Sequence, residues 1–285
     1  MSIPLNHHYV SQCQIKQFFN AEEGKIYLYD KDKKNFYWRT STKSIFSEKF
    51  SNSIFKQGNI NHKTLEDDLK IFEDEYPIAV ELISDTAKTG TISKECYHSL
   101  LNITLFGIIG HLRTPQIKKG LDDAVNNAFE SLYEECTDEL RAQLKSLTEY
   151  KGHVSYSNVV KYSTTALRIA EKMGGLAFTI WHIRSDDFFL LPDTSAFTLR
   201  GRINNYFNPD IFEIAEVGFP LTNKIFIHAL SEKLGQEKSY IAFIDEKNKQ
   251  IVADINYNLF HFAQKLVATN DEAYLKQIVE QVEQA

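Results

Sequence analysis

Between residues 100 and 112 the apolar positions fall at 100, 101, 103, 105, 106, 108, 109 and 112, so they surround most of a helix instead of striping one side. That pattern predicts a central, buried helix, opened by Ser93 as N-cap and spanning about 94 to 112. Thr114-Pro115 predicts the start of a longer, mostly polar helix from 115 to about 148. Upstream, Leu65, Leu69 and Phe72 repeat at four and three with acids between them, predicting helix from about residue 61 that Pro77 interrupts or restarts. A further helix is predicted from about 156 to 172, ended by Gly174-Gly175.

Either side of this helical stretch the period changes. Residues 25–30 and 35–39, joined by Lys31-Asp-Lys-Lys34, read as a β-hairpin, and 53–56 as a short strand. After Gly175, strands are predicted at 176–184 and 188–191, then near 197–200, 212–217, 224–230 and 239–244, spaced as in an antiparallel sheet. Val252, Ile255, Leu259, Ala263, Leu266 and Val267 form a stripe that predicts helix from about 249 to 268, with another from 271 to 283. The class is therefore α+β: an N-terminal β-hairpin, a central helical region (61–173) with a buried helix, an antiparallel sheet of short strands, and C-terminal helices. Residues 1–285 are expected to form a single compact domain.

Composition narrows the function classes. The 285 residues are 43% hydrophobic and 25% charged, as in soluble globular proteins. A net charge of -6 argues against wholesale nucleic-acid binding, and the basic group Lys31, Lys33, Lys34, Arg39, Lys43 and Lys49 reads as a solvated hairpin surface. Cys13, Cys96 and Cys136 form no CxxC and fit a reducing, cytoplasmic compartment. No secretory leader is evident, and the longest apolar segment is too short for a membrane span. P-loop, GxGxxG, GxSxG and kinase signatures are all missing.

Three separated segments carry a resemblance. His8-Tyr-Val-Ser-Gln-Cys-Gln-Ile-Lys-Gln-Phe18 resembles an HYVPxxxLxxF signature, and His111-Leu-Arg-Thr-Pro115 resembles an RTP motif at the end of a central helix. Phe189-Leu-Leu-Pro-Asp-Thr-Ser195, followed by Phe219-Pro-Leu-Thr222, is similar to FxxSDNPV and then PLSP. In this order they resemble the bacterial family called domain of unknown function 4238. The resemblance implies no activity, only that His8, Arg113 and Asp193 stand at its signature polar positions. Ser11 stands where that pattern has proline, and Thr194-Ser195 where it has Asn-Pro.

The candidate chemistry sits on the same segments. His8 suits a general base or a structural donor to a carbonyl, with His7 as its solvent-facing neighbour. Arg113 suits an anionic substrate, or an internal ion pair with Asp193 or a glutamate of the 66–75 helix. Asp193, after an apolar strand, suits a catalytic carboxylate or a turn that bonds its own backbone. Thr114 reads first as a helix cap, and His111 either joins the site or packs beneath it. Asn256 lies within the C-terminal apolar stripe, where a buried amide would hold the Asp193 loop or the 219–222 segment. A divalent cation is compatible with His8, Asp193, Glu66 and Glu73, although Glu66, Glu73 and Glu75 read more simply as a solvated acidic face, and no metal-binding motif is present.

Two functions follow. One is a hydrolase acting on a phosphate-containing substrate, nucleic acid or nucleotide: His8 moves a proton, Asp193 binds a metal or orients water, and Arg113, His111, Thr114 and Asn256 hold the substrate. The other is a non-catalytic binding or interaction module in which these polar residues form an internal brace.

Overall fold

A computed structural model describes residues 6–49, 51–52, 54–56, 59–61, 64–142, 156–201, 213–236 and 238–284. In the N-terminal part β1 (Asn6–His8) leads into the short helix α1 (Gln12–Lys16), then β2 (Ile26–Asp30), β3 (Asn35–Arg39), β4 (Ser47–Lys49), β5 (Ile54–Lys56) and β6 (Asn59–Asn61). Helices α2 (Thr64–Thr89), α3 (Lys94–Leu112), α4 (Pro115–Glu135) and α5 (Tyr162–Met173) follow. The chain returns to strands in β7 (Leu176–Ile183), β8 (Leu191–Pro192), β9 (Phe197–Gly201), β10 (Glu213–Pro220), β11 (Ile225–Ser231) and β12 (Tyr240–Ile244). Helix α6 (Gln250–Phe262), β13 (Leu266–Thr269) and α7 (Glu272–Gln284) complete the α+β order.

Two sheets organise these elements. The larger has the order β12-β7-β11-β10-β9 and the smaller β3-β2-β13-β8. One face of the larger sheet carries Phe178, Ile180, Val217, Phe219 and Ile227 into a core with Tyr76 and Ile83 of α2, Leu100, Ile103 and Phe106 of α3, and Ala166 of α5. A second core joins Phe197 and Phe226 of the larger sheet to Leu259 and Phe260 of α6, Leu275 of α7, and Tyr27, Tyr29 and Val267 of the smaller sheet. The third gathers Ile26, Leu28, Leu191 and Ala268 of the smaller sheet with Tyr9, Val10, Ile15 and Phe18 of the N-terminal segment. Alternation along β2 explains the last two: Tyr27 and Tyr29 face one way, Ile26 and Leu28 the other, and the whole strand is buried.

Helix α3 is central, as its apolar circumference predicts, and Ser93 caps it by accepting from the Cys96 amide. Two glycines set how closely it meets the sheet. A Cβ at Gly107 would stand 2.9 Å from Phe219 Cδ2, and one at Gly110 would overlap the Ser195 side chain.

Five expectations need correction. Helix α2 runs through Pro77 unbroken, since Leu65, Leu69 and Tyr76 before it and Ala79 and Ile83 after it are buried while Pro77 itself is exposed. Helix α4 stops at Glu135 and helical backbone resumes only at 138–142; the expected stretch 143–148 lies outside the described residues. The predicted helix 249–268 ends at Phe262, and Leu266–Thr269 forms β13 between β2 and β8. Strand β12 pairs parallel to β7, so the larger sheet is mixed, not wholly antiparallel. The expected 156–172 helix also begins later: Tyr156–Val159 is a 3-10 turn before α5. Residues 53, 62–63 and 212 of the expected elements lie outside the described residues.

Candidate functional site

The three signature segments meet where α1, the end of α3, the turn at 192–196 and the start of β13 come together. They meet mainly through the backbone. Arg113, the C-cap of α3, is 3% exposed, and its Nη2 donates to the carbonyl of His8. The His8 ring points elsewhere, with Nε2 2.9 Å from the Thr42 carbonyl. This is the carbonyl-bound arrangement that fixes the N-terminal segment. The exposure of the histidine pair is the reverse of expectation: His7 is buried at 2%, its Nδ1 accepting from the Asn52 amide at 2.8 Å, and His8 is half-buried. Alternation along β1, paired with β4, turns the two side chains to opposite faces.

Asp193 is 4% exposed, and both its oxygens are engaged by the backbone. Oδ1 accepts from the Gln264 amide at 2.7 Å, and Oδ2 from the Lys265 and Leu266 amides at 2.8 and 2.9 Å. These amides follow the end of α6, which is why that helix cannot continue into β13. Burial pushes the Asp193 carboxyl up from the ordinary carboxylate range, while the three amides and the Lys31 ammonium pull it back. Lys31 was expected on a solvated hairpin surface. Its Nζ instead caps α6, donating to the Phe260 and Ala263 carbonyls at 2.9 and 2.7 Å.

Other bonds close the junction. The Gln264 side chain accepts weakly from the Gln116 amide at 3.4 Å, linking the first turn of α4 to the residue that binds Asp193. Thr114 occupies the N-cap position of α4, but its hydroxyl makes no cap bond and finds no partner among the described residues. His111 Nε2 lies 3.3 Å from the Thr198 hydroxyl, on the sheet side of α3, and burial lowers its pKa, with Arg200 adding to the effect. Asn256 is wholly buried and holds the segment ahead of Asp193: Oδ1 accepts from the Leu190 amide at 2.9 Å, and Nδ2 donates to the Phe188 carbonyl at 2.8 Å and to the Tyr274 hydroxyl at 3.2 Å. It thus substitutes for ladder bonds over most of the strand expected at 188–191, of which only Leu191 pairs.

Gln14 escaped the sequence reading. Fully buried on α1, it donates to the carbonyls of Ser195 and Pro220 at 2.9 and 3.2 Å and accepts from the Ser195 hydroxyl at 2.7 Å. It therefore ties the first signature segment to both parts of the third. Its spacing of four from apolar Val10 and Phe18 was the available signal. Ser11, in the place of the pattern's proline, caps α1 with its carbonyl and gives its hydroxyl to Glu73. Ser195 adopts φ 65°, a left-handed conformation that this web of bonds holds in place.

Beside this junction lies a second buried polar group. Lys118 of α4, 6% exposed, donates to the Ser51 carbonyl at 2.6 Å and to Asn52 Oδ1 at 3.0 Å, and Asn158 Nδ2 donates to the same carbonyl at 2.7 Å. Its hydrogen bonds join α4 to the β4–β5 segment and the turn before α5. Glu75 accepts from Asn102 at 2.9 Å, and the Glu66 side chain lies outside the described residues. Among the described residues no three His, Cys, Asp or Glu side chains gather as metal ligands. Nor is any helix there long and apolar enough to cross a membrane.

Residues 6–273 match the family described as "Protein of unknown function (DUF4238)". No curated protein and no solved structure matches the chain.

Proposed function

The chain belongs to the DUF4238 family, and from the way its signature side chains are engaged by main-chain groups of other segments we propose that it is a non-catalytic binding or interaction module. In this reading His8, Arg113, Asp193 and Asn256, with Gln14, form an internal brace. The observation that carries it is the Asp193 carboxylate, which spends both oxygens on three consecutive backbone amides. A carboxylate so used is a poor general base and a poor metal ligand, because each amide would have to be abandoned inside the protein. Arg113 is likewise directed at a main-chain carbonyl, an acceptor that holds two segments of chain together. The free thiols of Cys13, Cys96 and Cys136 support a reducing, cytoplasmic setting.

The brace makes stability the property that its residues control. Arg113→Ala and Asp193→Ala are expected to lower the melting temperature by several degrees. The decisive comparison is a metal-supplemented assay of RNA, DNA and nucleotides with the wild type and His8→Ala. Hydrolysis by the wild type that His8→Ala abolishes while keeping its fold would overturn the module reading in favour of a phosphate-directed hydrolase.

A further inference from the structure

Helices α6 and α7 pack side by side in the second core and leave a groove between their outer faces. This cavity, of about 380 Å³, is lined by Asp187, Lys249, Asp254, Tyr257, Tyr274 and Ile278, among others. That volume lies in the usual range of small-molecule sites. Its floor is preformed. Ile278 is buried at 4%, and Tyr274 is pinned by its bond from Asn256 and by the edge of Phe188, with ring centroids 5.4 Å apart. Tyr257, 44% exposed, adds a second ring at the rim, tilted at 57° against the His261 ring with centroids 4.2 Å apart.

The charges of the lining select a ligand class. Asp187 and Asp254 contribute two carboxylates; Lys249, the ammonium in the lining, is paired with Glu246 at 3.3 Å. Lys224, whose Nζ donates to the Asp187 carbonyl at 2.7 Å, offsets part of the Asp187 charge, which leaves Asp254 the stronger anchor. Each carboxylate has one oxygen oriented by a neighbour: Asp187 Oδ2 accepts from the Ser185 hydroxyl at 2.8 Å, and Asp254 Oδ1 from Gln250 at 2.9 Å. The other oxygen of each has no hydrogen-bond donor among the described residues. Ionised carboxylates only accept, so the complementary guest must donate, and a positive charge gains from both the carboxylates and the tyrosine faces. A phosphate would meet repulsion here.

We propose that the α6–α7 groove binds a small organic cation, an amine or guanidinium carried on a short apolar chain. The idea deepens the binding-module reading and rests on it. The body of such a ligand lies over Ile278 and the tyrosine rings, and its cationic end meets Asp187 or Asp254.

Isothermal titration of the full chain with spermidine and agmatine, with 1,8-octanediol and AMP as neutral and anionic comparisons, tests it. Saturable one-site binding of at least one cation is expected, with neither comparison binding. Asp187→Asn and Asp254→Asn should together weaken it by about fivefold or more, the scale of lost charge and cation–π attraction at a partly exposed site, and leave the melting temperature unchanged. Tyr257→Ala, on the exposed rim, should weaken it without unfolding. No binding by either cation, unaltered binding in the Asp187→Asn/Asp254→Asn variant, or tighter binding of AMP would overturn the proposal. Such a failure leaves the brace untouched, since that is read by melting temperature and by the His8 assay.

Discussion

Gly110 of α3 and Ser195 of the signature turn are packed so closely that a single added methyl at 110 would overlap the Ser195 side chain. Ser195 cannot readily yield. Its amide bonds the Pro192 carbonyl at 3.0 Å, and its carbonyl and hydroxyl are both held by Gln14. Gly110→Ala should gain about 1 kcal/mol of helix propensity and lose more to overpacking, typically about 1–3 kcal/mol. We expect a net destabilisation in urea denaturation. Gly110→Ala/Ser195→Gly should recover much of it, because glycine removes the clash and accepts φ 65° without strain. Strict additivity of the two substitutions would show that the contact is not shared.

Asp193→Asn should destabilise the chain by about 2–4 kcal/mol. An asparagine carbonyl can accept from one or two of the three amides at 264–266, but its NH2 group would then confront the remaining N–H. The loss should be local first. Hydrogen exchange at Lys265 and Leu266 should accelerate more than at α3, and equal acceleration throughout would argue against a brace at this point.

Helix α3 was legible because nothing competed with its pattern: an apolar circumference, a serine cap and a following Thr-Pro leave one solution. The hairpin β2–β3 was legible for similar reasons. The stripe from Val252 to Val267 misled because Leu266 and Val267 satisfy a helical period and a buried strand equally. What decides between them is Asp193, more than 70 residues away in sequence, which takes the amides a helix would have used. Site residues followed the same division. That His8, Arg113, Asp193 and Asn256 would be engaged internally could be suspected from their apolar surroundings. That Arg113 would meet His8 through its carbonyl, and that Gln14 would tie α1 to Ser195 and Pro220, depends on long-range packing that no local spacing encodes.

Acid should act on the fold through His111. Burial, reinforced by Arg200, lowers its folded-state pKa below the ordinary 6.5. The unfolded chain therefore binds the proton more tightly, and stability falls as pH drops from about 6.5 toward the folded value, then levels off for this group. His111→Gln has no such proton to bind. The stability difference between wild type and His111→Gln, measured by denaturation at pH 7.5 and at pH 5.5, should shift against the wild type at the lower pH. A difference independent of pH would mean that the imidazole is solvated in the folded state.

Asn256 offers the sharpest test of how the brace reaches the rest of the molecule, because its two ends do different work. Its oxygen serves the Leu190 amide, and its NH2 group serves the Phe188 carbonyl and the Tyr274 hydroxyl. Asn256→Asp keeps the first bond but sets a carboxylate oxygen against a carbonyl oxygen in a wholly buried place, where an uncompensated charge costs about 3–5 kcal/mol. Tyr274→Phe removes only the hydroxyl and should cost about 1 kcal/mol. The order of stability is therefore wild type, Tyr274→Phe, then Asn256→Asp. The last should regain part of its loss at acidic pH, where the aspartic acid protonates and can donate again. If Asn256→Asp matched Tyr274→Phe at neutral pH, the 188–190 segment would be held by packing alone, and the amide would be incidental to the path that leads to Asp193.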